Sequence, residues 1–349
     1  MHGTDSADAR PLELLPLDDP RWGSFVAGHR DATPFHDPAW AGLLARTYRL
    51  SGEVLAQVGA DGTVDAGIPV LVPARLPGQA RRLVSLPFTD VIDPLVPPEG
   101  GARFATQLDR ARERLGVTRI ELRGHLDGAQ AVDPRAVVHG LELTEGIDAV
   151  GDGFSKSTRR NIRLAERRGV VVRRAREERD LTEIFFALHL ATRSRLGVPV
   201  QPRRFFRLLW RVLTDAGLGF VLVAEQEGLP VASAVFLRNA TTLVYKYSAS
   251  DSSALSSKPN DLLIATAIRE ACESGCSHFD FGRSDLAGEG LRAFKSGFGA
   301  AEEALRYSVV GDGTAGVPGG GDGVVQRVLR RSPTLATRVV GELFYRYAA

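Results

Sequence analysis

Apolar and polar positions change their period along this chain, and the changes mark out its elements. Leu43, Leu44 and Tyr48 follow the turn Pro34-Phe-His-Asp-Pro-Ala-Trp40 at helical spacing, which predicts a helix with Asp37 as N-cap and Pro38 at its first position. Period-two alternation takes over at Val54–Gly59, Asp65–Val72 and Arg82–Leu86, broken by Asp61-Gly62 and Pro77-Gly78, the pattern of antiparallel strands joined by turns. A helix over 102–115 and strands at Thr118–Arg123 and Val137–Leu143 complete the first half. The loop bearing Gly146, Gly151 and Gly153 is read as the domain boundary.

The second half repeats the order. A helix from Phe154 is stopped by Gly169 and feeds the strand Val170–Arg176. Helices at 180–195 and 202–215 carry Ile184, Leu188, Phe205, Leu209 and Val212 at helical spacing. Strands at 218–225, 231–238 and 242–249, a helix at 260–274, a strand at 277–281, a short helix at 290–297 and a strand at 302–309 follow. The expected class is therefore α+β, with a duplicated unit whose sheets are mostly antiparallel. Residues 1–150 form one unit and 151–310 the other, and 311–349 form a Gly-rich linker and an amphipathic helical tail. The tail helices, Val324–Arg331 and Pro333–Tyr347, carry five arginines; they suit packing at the domain junction or peripheral contact with a membrane surface.

Composition adds a polarity. Residues 1–150 hold 15 arginines and no lysine against 21 acidic residues, a net −6, and the remainder carries +8. A polyanion is drawn to the second half. Of 44 cationic residues only four are lysines, Lys156, Lys246, Lys258 and Lys295, and three of these fall in the stretch from Tyr245 to Ala300. Cys272 and Cys276 lie one helical turn apart with His278 close by, too few ligands for a zinc site, so no metal is expected. No charged leader or long apolar run is present, and the expected location is cytoplasmic. The chain lacks a Gly-x-x-x-x-Gly-Lys-Ser/Thr loop, a Gly-x-Ser-x-Gly elbow, a His-Glu-x-x-His pair and a Gly-x-Gly-x-x-Gly turn. Nucleotide hydrolysis, serine hydrolysis, zincin and dinucleotide chemistry are thereby set aside.

Three constellations can carry chemistry. Lys156, Arg160 and Arg163 share one helical face at the start of a helix, suited to phosphate groups of a substrate or of RNA, or else a solvated face. Tyr245, Tyr247, Ser250 and Asp251 end a strand, and Lys258 leads into a helix start that can hold an anion or a developing oxyanion, or is an ordinary cap. Phe294-Lys295, between Gly290 and Gly297, can hold an ammonium in a cleft during acyl transfer, or is a surface lysine.

In the order Ser155-x-x-x-x-Arg160-x-x-Arg163-x-Ala165-x-x-x-Gly169-Val, Tyr245-x-Tyr247-x-Ala249-Ser250, Asp280-Phe-Gly282 and Phe294-Lys295-x-x-Phe298-Gly299, these residues resemble the Fem family of aminoacyl-tRNA-dependent transferases. The resemblance covers 150–310 well, and 30–150 loosely through Phe35-x-x-x-x-Trp40 and Leu86-Pro-Phe-x-Asp90. It implies two tandem acetyltransferase-like (GNAT) domains, aminoacyl-tRNA as donor with no cofactor, and an amine acceptor on a cell-wall precursor or small molecule. The inner face of the membrane then becomes a candidate location. By the same resemblance Arg160 and Arg163 contact substrate phosphate, Tyr247 lines the substrate groove, and Lys295 stabilises the acyl group or the tRNA end. Asp90 faces that cleft from the first domain. The chain departs from the peptidoglycan enzymes in lacking the long helical hairpin some of them insert. An acyl-CoA donor is the alternative, although the Gln/Arg-x-x-Gly-x-Gly/Ala loop that binds CoA pyrophosphate is missing. A non-catalytic RNA- or membrane-associated protein is the third reading.

Overall fold

A computed structural model describes residues 11–74, 78–132, 134 and 136–312; the tail helices expected at 324–331 and 333–347 lie outside the described residues. In chain order the strands are β1 (Glu13–Leu15), β2 (Gly52–Val58), β3 (Val64–Leu71), β4 (Arg82–Val84), β5 (Arg119–Leu122), β6 (Gln130–Val132) and β7 (Ala136–Glu142). They continue as β8 (Val170–Arg174), β9 (Gly219–Gln226), β10 (Leu229–Arg238), β11 (Thr242–Ser250), β12 (His278–Asp285), β13 (Ala301–Ala304) and β14 (Tyr307–Gly311). The helices are α1 (Pro20–Gly28), α2 (Pro38–Tyr48), α3 (Gly101–Arg114), α4 (Ile147–Asp152), α5 (Lys156–Arg167), α6 (Phe186–Leu196), α7 (Arg203–Thr214), α8 (Pro259–Glu273) and α9 (Glu289–Ser296).

The strands form two seven-stranded sheets, ordered β1-β2-β3-β4-β5-β14-β6 and β13-β7-β12-β11-β10-β9-β8. Each sheet has an antiparallel run and one parallel pair (β4 with β5, β11 with β12), and β14, which follows the second unit in the chain, lies between β5 and β6 of the first sheet. The first compact unit therefore runs to residue 134 and resumes at Ala304, and the second is Ala136–Glu303. This division precedes the glycine-bearing loop named as the boundary from sequence. The reason is packing: Leu141 and Leu143 already belong to the second unit's core, and so does Val150, on the short α4 that occupies part of that loop.

Local signals hold where they are strongest. The Asp37 carboxylate accepts the Ala39 N–H at 2.8 Å, with Pro38 at the first position of α2. In the second unit, α5 and α8 cover a core that includes Leu222, Phe236, Leu263, Ile264, Phe279, Phe281 and Phe298. On the opposite face α6 and α7 bury Phe186, Phe205, Phe206 and Leu209. α7 is strongly amphipathic, so burial of these aromatic and aliphatic groups fixes which side its arginines present to water.

Candidate functional site

The second sheet opens in its middle. β11 and β12 are parallel partners over Thr242↔His278, Leu243↔Phe279 and Val244↔Asp280, and the ladder ends there. Both strands are bulged at this level. Against β10, Tyr245 pairs with Phe236 and Tyr247 with Val235, leaving Lys246 as the extra residue. Against β7, the register of β12 shifts between Asp280 and Arg283. A bulge bends its strand and raises the local twist, so two at one level part neighbouring strands. Gly282 supplies the bend, with φ of 67° that side chains with a Cβ adopt at a cost, and its N–H donates to Asp280 Oδ1 at 2.6 Å.

Lys295 holds this bulge from α9. Its side chain is 2% exposed, and Nζ donates to the carbonyls of Gly282 at 2.7 Å and Arg283 at 2.9 Å. The alternative of a surface lysine is thereby excluded. α9 is itself docked tightly: Ser155 N–H donates to Gly297 O at 2.8 Å, and a Cβ on Gly297 would come 2.7 Å from Thr158 Oγ1. Phe294 and Phe298 pack edge to face, with centroids 5.3 Å apart, against the core.

The bulge also separates the two tyrosines. Strict alternation would place Tyr245 and Tyr247 on one face. Instead Tyr245 joins the core under α8, against Phe236 at 5.6 Å and Phe281 at 6.5 Å, and burial pushes its phenol up to about 12. Tyr247 lies on the other face against Phe205 at 5.8 Å and His189 at 6.1 Å, and Lys246 Nζ stands 5.3 Å from its ring centroid. Tyr245 is therefore a packing residue, and only Tyr247 remains on the helix face of α6 and α7.

At the start of α8, Lys258 is the N-cap in a left-handed conformation, Pro259 has no N–H to offer, and the Asp261 carboxyl sits in the first turn. Asp261 is 7% exposed and accepts Asn161 Nδ2–H at 3.0 Å, and burial raises its affinity for a proton. A carboxylate at this position already occupies the positive end of the helix.

The long basic run breaks into two parts. Arg173 is paired with Asp180 at 2.9 Å and Glu225 at 2.8 Å, and Arg174 with Glu270 at 2.6 Å, so these cations are structural. On α5, Lys156, Arg160, Arg163 and Arg167 are exposed, with no ion pair among the described residues. Sequence reasoning passed over a second ladder. Arg204, Arg207 and Arg211 are exposed along α7, on the opposite face of the sheet, at the three-and-four spacing that was there to be read.

It also passed over His139, Arg292 and Glu302. His139 is fully buried on β7, with Nε2 3.1 Å from Glu302 Oε2, and Arg292 grips the same carboxylate at 2.7 and 2.8 Å. No spacing links these three, because they come from three separate elements. Asp90 belongs to the first unit, where its carbonyl accepts the Tyr307 hydroxyl at 2.8 Å. Among the described residues no cluster of three or more His, Cys, Asp or Glu could hold a metal, and no helix is long and apolar enough to cross a membrane.

Residues 153–296 match the family described as "Acetyltransferase (GNAT) domain". No curated protein matches the chain. Among solved structures, FemX superposes with a TM-score of 0.69 at 16% identity, over 85% of this chain and 96% of that one. The C-terminal domain (DUF2156) of an assigned lysylphosphatidylglycerol synthetase from Agrobacterium fabrum gives 0.57 at 16% identity, over 92% and 95% of the two chains. L-PGS from Bacillus licheniformis gives 0.56 at 14% identity, over 94% and 98%. With its parallel pair split after three residues in each sheet, the chain has the GNAT-type α+β fold in two units, shared with FemX and the lysylphosphatidylglycerol synthetase domains.

Proposed function

We propose that the chain is an acyltransferase that moves an aminoacyl group from aminoacyl-tRNA to an amine acceptor, with the cleft between β11 and β12 as its reaction site. The acceptor amine attacks the ester carbonyl, the carbonyl oxygen becomes an oxyanion, and collapse breaks the ester to release the ribose hydroxyl as the amide forms. The amine's proton leaves with that hydroxyl. Lys295 is the group placed to stabilise the oxyanion, since an ammonium fixed by two carbonyls in a buried site needs no reorganisation at the moment of reaction. Tyr247 lines the groove on the α6 face, and the ladders on α5 and α7 attract the donor's phosphates. Lys156, Arg160 and Arg163 are the phosphate contacts on α5, and Lys258 and Phe294 flank the site at the α8 start and on α9. The resemblance of FemX and the lysylphosphatidylglycerol synthetases in fold supports a cell-wall or lipid amine as the acceptor class, with the precursor of peptidoglycan as first choice.

The observation that carries the donor assignment is the start of α8. Pro259 and the buried Asp261 stand where an acyl-CoA enzyme presents free backbone amides to a pyrophosphate, and a carboxylate repels that group. The match of 153–296 to an acetyltransferase domain favours the second reading, CoA-dependent N-acetylation. One experiment separates them: the purified protein is given radiolabelled aminoacyl-tRNAs or labelled acetyl-CoA, each with a cell-wall precursor extract. RNase-sensitive transfer from the charged tRNA pool, with no CoA heat by calorimetry, is the expected result. Transfer from acetyl-CoA alone overturns the donor assignment.

A further inference from the structure

At the starts of β4 and β5, three arginines surround a cavity to which the proposed reaction gives no role. Its volume is about 330 Å³, at the small end for small-molecule sites, and Val72, Pro73, Gln79, Arg81, Arg82 and Arg119 are among its walls. All of these residues belong to the first unit. The cavity lies where the parallel pair begins, away from the end that Ser85 and Arg123 close.

Arg82 and Arg119 are direct partners on the first rung of that pair. Like charges side by side on a sheet repel, so the rung costs stability unless an anion stands beside it. Glu121, with its side chain 4% exposed, is that anion: its Oε1 accepts from Arg82 Nη1 and from Arg119 Nε, each at 2.7 Å. One carboxylate oxygen thus holds two guanidiniums in place. A third cation, Arg81, is anchored through its backbone, whose carbonyl accepts the Thr118 N–H at 2.9 Å and the Thr118 hydroxyl at 3.1 Å. Its guanidinium is exposed and makes only a long contact, from Nη1 to Leu115 O at 3.5 Å.

Charge and donors are left over. Three guanidiniums share one carboxylate, no acidic side chain lines the cavity among the described residues, and the stretch 66–89 contains no Asp or Glu. This surplus of positive charge sits in the acidic half of the chain. Arg119 Nη1 and Nη2 have no hydrogen bond among the described residues, and the grip of Glu121 on Nε has already ordered that side chain. A ligand meeting this fork therefore has less rotamer entropy to overcome than at a solvated arginine.

We propose that this cavity binds a small phosphorylated ligand, whose phosphoryl group is received by the Nη1 and Nη2 fork of Arg119 and by Arg81. A phosphate monoester carries close to two negative charges at neutral pH, and its oxygens match the guanidinium fork, so it answers both the surplus charge and the spare donors. Val72 and Pro73 offer an apolar wall to the rest of the molecule.

The test does not depend on acyl transfer. Inorganic phosphate is titrated into the full chain by calorimetry at constant ionic strength, with acetate in parallel. Saturable binding of phosphate is expected, and none of acetate. Arg119→Gln and Arg81→Gln are each expected to weaken phosphate about tenfold, as for loss of a charge-assisted contact. Arg81 is exposed, so Arg81→Gln decides should Arg119→Gln not fold. Absence of saturable binding, equal binding of acetate, or an unchanged affinity in Arg81→Gln overturns the proposal. A fall in Arg163→Gln or Arg207→Gln instead would assign the phosphate to the helix ladders and overturn it too. Displacement of phosphate by tRNA that itself binds more weakly to Arg81→Gln would make the cavity a nucleic-acid contact, and the small-ligand assignment would fall.

Discussion

The two sheets meet the same topological problem and answer it differently. Each contains one parallel pair that stays in register for three residues: Arg82↔Arg119 to Val84↔Glu121 in the first unit, Thr242↔His278 to Val244↔Asp280 in the second. In the first unit the chain closes its own split. Ser85 Oγ accepts the Arg123 N–H at 2.7 Å and Ile92 N–H donates to Arg123 O at 2.8 Å, while Leu86 and Phe88 take left-handed conformations to make the loop fit. In the second unit the strands are bulged apart and the bulge is pinned by a buried ammonium. One unit has used the gap to complete its backbone hydrogen bonds. The other leaves its parallel pair parted after Val244 and Asp280, with the Lys295 ammonium bound to the bulge carbonyls of Gly282 and Arg283.

The largest expected difference between the units is in acid. Burial lowers His36 of the first unit to about 4 and His189 of the second to about 3. Both imidazoles are neutral in the fold, and the unfolded chain takes up protons below about 6.5. The associated stability is therefore complete above that pH and is lost as pH falls, by about 3 kcal/mol down to His36's value and about 5 kcal/mol down to His189's. Tryptophan fluorescence reads the units separately, since Trp22 and Trp40 report the first and Trp210 the second. Coincident flat acid responses would break the comparison.

Lys295→Ala is next. Turnover should fall roughly 10²- to 10³-fold, as for loss of an oxyanion donor, while the circular dichroism spectrum is kept. Near wild-type turnover removes Lys295 from the mechanism. Ser85→Ala tests the closed split: it strips a partner from the buried Arg123 N–H and should cost about 1–3 kcal/mol by denaturant unfolding, with kcat unaltered. A matching fall in kcat would mean that the first unit's split also serves the reaction. The smallest effects belong to the ladders. Single Arg163→Gln or Arg207→Gln changes should each reduce the salt slope of tRNA binding by about 0.7–0.9, measured by filter retention over a range of salt. A slope altered only by one ladder would restrict the RNA to that face of the sheet.

Much of this molecule was legible before folding. The duplicated α+β order, the Asp37-Pro38 helix start and the concentration of lysines around β11, β12 and α9 follow from periodicities and residue types that act over a few positions. Phe294-Lys295 could be named because its glycine-flanked setting is local. The pairing of Arg173 and Arg174 with Asp180, Glu225 and Glu270 could not, because the partners lie up to 96 residues away. The domain boundary was misplaced for a related reason: β7 reads as a strand of either unit until its neighbours are known.

Sequence by itself determined most of the elements, their order and the charge polarity between the halves, since these follow from residue types and periodicities along the chain. Tertiary structure alone decided the rest. A one-residue bulge at Lys246 sends Tyr245 into the core and Tyr247 to the helix face, and shifts of register are set by the strands on either side. The same long-range pairing brings His139 from β7, Glu302 from β13 and Lys295 from α9 to one bulge on β12, where a surface-type lysine becomes a buried charge.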